Sequence, residues 1–209
     1  MSSHDEAGDP KTTPERLAEL AGDADAIIRY WVATNPNAPT NVLAQLAGDA
    51  FTVLRQAVAW HANTPVLILR QLSEDEDWEV RRQVARNVNT PSDTFARLAE
   101  DAEWNVRWGV SGNPNTPVEI LIQLTGDAEW SVRCAIAFNP NAPAGALTQL
   151  AGDEDAYVRR GVAGNPNTPT PILTLLTGDE NDDIARAARE SLKTRSQPTM
   201  LWMMGGNGL

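Results

Sequence analysis

An all-α solenoid of seven two-helix repeats, about 26 residues each and wound as a right-handed superhelix, is the fold class this sequence predicts. Three observations predict it. Prolines recur at Pro39, Pro65, Pro91, Pro117, Pro143 and Pro169, each 26 residues after the last. A leucine recurs in the same frame at Leu46, Leu72, Leu98, Leu124, Leu150 and Leu176. Arginines recur at Arg55, Arg81, Arg107, Arg133 and Arg159, each with an aspartate six residues before it.

Taken in chain order, residues 1–11 are polar and acidic and read as a disordered lead-in, with no apolar stretch of the kind a secretory signal needs. The repeat array runs over residues 12–195 without a linker, opening at Pro14, one residue out of frame, so that the first repeat reads as one residue short. The repeat opened by Pro117 serves as the template. Thr116 is a good N-cap and Pro117 suits the first helical position, where its missing N–H costs nothing. A short helix then spans Val118 to about Thr125, with Ile120, Leu121 and Leu124 at core spacing. Gly126 ends it, through a left-handed backbone, and Asp127 caps a second helix running from about Ala128 to Phe138. Val132, Ala135 and Ile136 face inward, and the Asn139-Pro140 step stops the helix. In two repeats the Gly-Asp pair becomes Glu74-Asp75 and Glu100-Asp101. In the last repeat Ala185 stands where others have arginine, and Arg186, Arg189, Lys193 and Arg195 make the final helix polar. Residues 196–209 form a tail without Lys, Arg, Asp or Glu.

The pattern Asn-x-Asn-Thr-Pro, Leu-x-x-Leu, Asp and then Val-Arg resembles the leucine-rich repeat variant family, over nearly the whole array. The resemblance implies alternating α and 3₁₀ helices in place of a strand-lined horseshoe. The aspartate and arginine six residues apart are also similar to HEAT-type helical solenoids. A member of the family carries an iron–sulfur cluster on an N-terminal cysteine cluster. Here Cys134 is the one cysteine, so neither that cluster domain nor any cofactor or metal is expected. The family is not defined by a reaction and implies no activity.

Composition narrows the function further. A net charge of −11 and a pI near 4.6 argue against nucleic acid as a partner. No run approaches the ~20 apolar residues of a membrane span, and the lone cysteine fits a reducing cytoplasm. His4 falls in the lead-in and His61 replaces an asparagine between helices, so no catalytic constellation forms around either. The recurring acids and arginines read as a structural ladder, with Asp77, Glu103, Glu129 and Asp155 also placed to pair with the arginine four residues on.

Two features stand outside the frame. Trp78, Trp104 and Trp130 occupy one repeat position three times running. At 100° per residue, Trp104 and Trp108 fall opposite the inner Val106. The same face carries Arg82, Arg86, Cys134 and Phe138. The tryptophans either fill gaps between second helices or pack under an arginine, or else, with Arg82, Arg86 and Phe138, they line a protein- or peptide-binding surface of hot-spot composition. The second feature is the tail, with Met200, Leu201, Trp202, Met203 and Met204 before Asn207, Gly208 and Leu209. It reads as a plug over the last repeat, a docking motif, or a peptide that a folded carrier presents to a modifying enzyme. The first expectation is therefore a non-catalytic binding scaffold, and the alternative is such a carrier.

Overall fold

The computed structural model describes residues 2–196, which are helix and connecting turn with no strand among them. Seven helical hairpins follow one another. Their first helices are α2 (Pro14–Leu20), α4 (Thr40–Leu46), α6 (Val66–Leu72), α8 (Ser92–Leu98), α10 (Val118–Leu124), α12 (Ala144–Leu150) and α14 (Thr170–Leu176). Their second helices are α3 (Ala26–Thr34), α5 (Thr52–Trp60), α7 (Trp78–Arg86), α9 (Trp104–Gly112), α11 (Trp130–Phe138), α13 (Ala156–Gly164) and α15 (Asp182–Ser196). One further helix, α1 (Ser3–Gly8), precedes them. The chain divides into two units, Met1–Ile120 and Leu121–Leu209. In the first, α1, α3, α5, α7 and α9 pack side by side in that order; in the second, α11, α13 and α15 do the same.

A hairpin this small buries too little apolar surface to fold alone, so its stripe must be covered by the next one. The stripe is the same in each repeat. Leu43 and Leu46 of α4 meet Leu54, Val58 and Ala59 of α5, all essentially inaccessible to water. Leu147, Leu150, Val158, Val162 and Ala163 repeat the set in the second unit. In α11 the buried apolar residues are Val132, Ile136 and Ala137, while Ala135, read as inward-facing, is half-buried, as is Ile120 in α10. α11 begins at Trp130, two residues later than the sequence suggests, because Asp127 first makes a turn of its own.

That turn corrects the expected capping. Asp127 Oδ1 accepts the backbone N–H of Glu129 at 2.9 Å, and the corresponding aspartates 23, 49, 75, 101, 153 and 179 do the same. The N-cap is the residue two further on. Asp25, Asp77 and Asp155 cap with their own carboxylates, whereas Phe51, Glu103 and Glu129 make no side-chain cap. The glycine before the aspartate is not left-handed: none of Gly22, Gly48, Gly126, Gly152 and Gly178 has a positive φ. The first helix closes by tightening into i→i−3 bonds, as from Gly48 to Gln45 and from Asp49 to Leu46. A right-handed turn admits any L-residue, which is why Glu74 and Glu100 can stand there. Both helices of each hairpin are α-helical, and 3₁₀ character is confined to such end turns.

The proline frame also shifts by one. Pro39, Pro65, Pro91, Pro143 and Pro169 are N-caps outside the helix, not its first residue. The threonine before them therefore caps nothing. Thr64, Thr90, Thr116 and Thr168 instead donate their hydroxyls to the carbonyls of Val58, Val84, Val110 and Val162 at the end of the preceding helix, at 2.5 to 2.6 Å. Only at α2 does the expected arrangement hold: Thr13 accepts from Arg16 N–H, with Pro14 at the first turn. Thr13 thus fills the place of a proline, and the first repeat is full length, with Leu17 and Leu20 in frame.

Residues 1–11 are not a disordered lead-in as described from Ser2 onward. α1 begins at a capping box between Ser2 and Asp5, buries Ala7, and packs on α3. Arg16 of α2 holds Glu6 at 2.9 Å, and His4 lies 3.2 Å from Asp25. Asp9-Pro10-Lys11-Thr12 is a degenerate copy of the repeat's pentapeptide, and Thr12 Oγ1 donates to Glu6 O as the later threonines do. The segment is half a repeat that covers the open side of α3. At the other end α15 runs straight through the place where other repeats break, since Leu192 and Arg195 stand where other repeats have prolines.

Candidate functional site

The asparagine pentapeptides and the arginine–aspartate ladder recur along the array and are structural. Asn87 Nδ2 donates to Ala59 O and His61 O of the preceding repeat at 2.8 and 3.1 Å, while its Oδ1 accepts Asn89 N–H. Asn89 Nδ2 then reaches Ala62 O. Asn35, Asn113 and Asn165 make the same pair of backward bonds. His61 replaces one such asparagine: its Nε2 meets Asn35 O at 2.9 Å and its Nδ1 accepts Asn63 N–H at 3.0 Å, which assigns the Nε2–H tautomer. In the last repeat Ser191 donates to Ala163 O, and Arg195 donates to the carbonyls of Asn165, Pro166 and Thr168.

Each ladder arginine pairs with the aspartate 20 residues ahead, in the next repeat. Arg29, Arg55, Arg81, Arg133 and Arg159 reach Asp49, Asp75, Asp101, Asp153 and Asp179 through Nε at 2.6 to 2.8 Å, and Nη2 meets the other carboxylate oxygen. Nη1 turns back to the carbonyl six residues earlier, as Arg107 also does to Asp101 O at 2.7 Å. The expected pairs with Asp77 and Asp155, four residues before, do not form, because those carboxylates cap their own helices. The Arg29 and Arg159 hydrogen bonds hold Asp49 and Asp179 below the usual carboxylate range. For Asp75 and Asp153 burial pushes upward most strongly, but hydrogen bonds from Arg55 and Arg133, backbone N–H groups and nearby positive charge together outweigh it.

No aromatic position is kept through the whole array, and among the described residues all the aromatics but Phe51 and Phe95 lie on second helices. In the first unit Arg86, last residue of α7, lies between two indoles: its Cζ is 5.0 Å from the Trp60 ring of α5 and 5.7 Å from the Trp108 ring of α9. Arg82, one turn earlier, lies over Trp78 at 5.6 Å. Gly109 makes this closeness possible. A Cβ there would stand 3.0 Å from Ala85 Cβ and 3.3 Å from Arg86 Cγ, so a larger residue would press on α7 where glycine lets α9 lie close, with Trp108 against Arg86. Three clefts meet at Trp60 and Arg86. The largest, about 520 Å³, is lined by Thr34, Pro36, Asn63 and Val88 besides those two. One of about 260 Å³ adds Trp108, Gly112 and Pro114, and one of about 280 Å³ adds Tyr30, Val53, Gln56 and Gln83.

Of the residues singled out in the sequence, Arg86 and Trp108 are thus brought together, and Trp78 and Arg82 form a neighbouring pair. Trp104 is 39% exposed on the same unit. Trp130 and Phe138 belong to the second unit, where Trp130 stacks at a tilt on Tyr157, 5.9 Å between centroids, and Phe138 lies where a Cβ on Gly161 would clash. Trp60, 55% exposed, is missing from the sequence reading, although it shares its repeat position with Arg86 and Phe138. Cys134 is half-buried; burial, then the carboxylates of Asp155 and Asp153, push its thiol up, which makes it a poor nucleophile. Among the described residues no group of three or more His, Cys, Asp and Glu is placed to hold a metal, and no helix is long and apolar enough to cross a membrane. The tail residues Met200 to Met204 and Asn207 to Leu209 lie outside the described residues.

Residues 78–103, one full period, match the family model described as leucine rich repeat variant. A solved structure titled as a leucine-rich repeat variant with a novel repetitive structural motif is 26% identical, covering 87% of this chain and 73% of that one, with a TM-score of 0.64. One repeat thus matches the leucine-rich repeat variant model, and the helical-repeat fold is similar to that of the leucine-rich repeat variant structure. The X-ray structure of the YibA protein of E. coli shares the fold at 15% identity and a TM-score of 0.52, covering 91% of this chain and 95% of that one. No curated protein matches the sequence. The repeat fold accounts for the fasteners and the ladder; it leaves the Trp60–Arg86–Trp108 bracket unaccounted for.

Proposed function

We propose that this leucine-rich repeat variant protein is a non-catalytic scaffold, in the cytoplasm that its single cysteine suits, holding a protein partner by a short peptide segment. The contact face is that of α5, α7 and α9. One observation carries the reading: Trp60, Arg86 and Trp108 stack on a face that builds no core, beside a cleft of about 520 Å³. Exposed tryptophan and arginine supply large, rigid contact area, the composition of interface hot spots. The cleft can take two or three side chains of an extended chain.

Selection of random displayed peptides on the whole protein tests this. Enriched peptides are expected to bind the parent and to lose binding on a Trp60→Ser, Trp108→Ser double variant whose circular dichroism and melting are unchanged. No enrichment, or enriched peptides indifferent to the double variant, overturns the assignment of this face.

A further inference from the structure

We infer that the segment held at this face is acidic, with a carboxylate placed against Arg82 and Arg86 and an apolar side chain beside it in the cleft; the inference rests on the peptide-binding reading above. Charge is the reason. Acidic residues outnumber basic ones 28 to 17, so a guanidinium left without a carboxylate is against the composition. Nearly every other arginine is engaged. The ladder arginines hold aspartates, Arg16 holds Glu6 and Glu19, Arg70 holds Asp93, Arg97 holds Glu74, and Arg195 is spent on carbonyls. Arg82 and Arg86, one turn apart on α7, have no carboxylate within ion-pair distance among the described residues, and Arg82 Nε is buried without a hydrogen-bond partner.

Geometry adds direction. A guanidinium stacked on aromatic rings has its faces covered and its N–H groups left in the plane, where they match a carboxylate in two parallel bonds. Arg86 is bracketed on both sides and Arg82 is shelved on one, so both are pre-ordered before a ligand arrives. Water is partly excluded there, and an ion pair formed beside an indole is screened less than one in open solvent. The cleft next to Arg86 is walled by Pro36, Val88 and the Trp60 ring, which suits an aliphatic or aromatic neighbour of the acid.

The peptides enriched on the parent protein are sequenced, and their affinities measured by fluorescence anisotropy at low and high salt. The expected result is enrichment of Asp or Glu adjacent to an apolar residue, with affinity that falls as salt rises. Arg86→Gln and Arg82→Gln should each weaken binding about tenfold or more. Arg160→Gln, which removes an exposed arginine of the second unit, should leave it unchanged. Enriched peptides that are neutral or basic, or that bind Arg86→Gln as well as the parent while still failing on the tryptophan double variant, would overturn the acidic assignment and leave the peptide-binding face standing. Absence of any enrichment would remove both. Preference for a phosphorylated version over the Glu version by more than the Glu version exceeds its Gln analogue would replace the carboxylate by a phosphate and count against the inference.

Discussion

At Gly152 the chain leaves α12 for the turn at Asp153 with φ outside the left-handed region, and no heavy atom stands within 4 Å of where a Cβ would be. At Gly161 of α13 a Cβ would lie 2.7 Å from Ala137 Cβ and 2.9 Å from the Phe138 ring. The two glycines should therefore answer oppositely to one methyl group. Gly152→Ala is expected to stabilise by about 0.4–1 kcal/mol, through a less free unfolded chain. Gly161→Ala is expected to cost about 1–3 kcal/mol, because α11 and α13 must move apart. Urea melts of the two variants check both. The first outcome was half legible in the sequence, since Glu74 and Glu100 already occupy the equivalent place, and glutamate does not suit a left-handed residue. The second was not, because nothing local to Gly161 says how near the neighbouring helix comes.

Helix type and the buried stripe follow from local spacing, and the leucine columns were read correctly for that reason. Partners were harder. In a periodic chain every acid stands at a fixed offset from every arginine, so offsets of six and 20 residues recur throughout and the offset of four fails only at Phe51; the stacking of helices selects the carboxylate 20 residues ahead. The selected pairs make a testable statement about acid. Asp49, Asp75, Asp153 and Asp179 have their pKa values lowered in the folded state. Their contribution is complete above the unfolded carboxylate value near 4 and is lost as pH falls through the lower folded values. Thermal stability is expected to hold from neutral pH down to about pH 4 and to fall steeply below it. Asp75→Asn should flatten that fall while lowering stability at pH 7 by roughly 1.5–3 kcal/mol, the worth of hydrogen bonds to a charged partner. A melting temperature insensitive to pH between 4 and 2 would refute the assignment.

On the scale of the whole molecule, the ends differ from the middle because an array of open-sided units must be closed. α1 does this for α3, giving Asn35 its acceptors at Ala7 and Asp9 and covering Ala33. Removing residues 1–11 is expected to lower the melting temperature and to increase amide exchange in α2 and α3 first; exchange that stays even along the first unit would show that α1 closes nothing. The segment looked disordered because its copy of the pentapeptide, Asp9 to Thr13, keeps only the proline and a threonine. The candidate site was legible as a column of tryptophans, yet its centre was not: Trp60 and Arg86 share one repeat position, and their meeting with Trp108 depends on the close approach at Gly109.

The asparagine fasteners reach back 26, 27 and 28 residues, and they grip main-chain carbonyls, which every residue possesses. A neighbour is thus recognised by its distance along the chain and hardly at all by its side chains. Any 26-residue block copied whole in the gene would arrive carrying both the plugs for the block before it and the sockets for the block after it. A single inserted codon between two fasteners would unseat every bond across that joint. Such a chain could gain or lose whole repeats without new fasteners, and its outward-facing residues, those of the face bearing Trp60, Arg86 and Trp108 among them, lie outside the fasteners' grip.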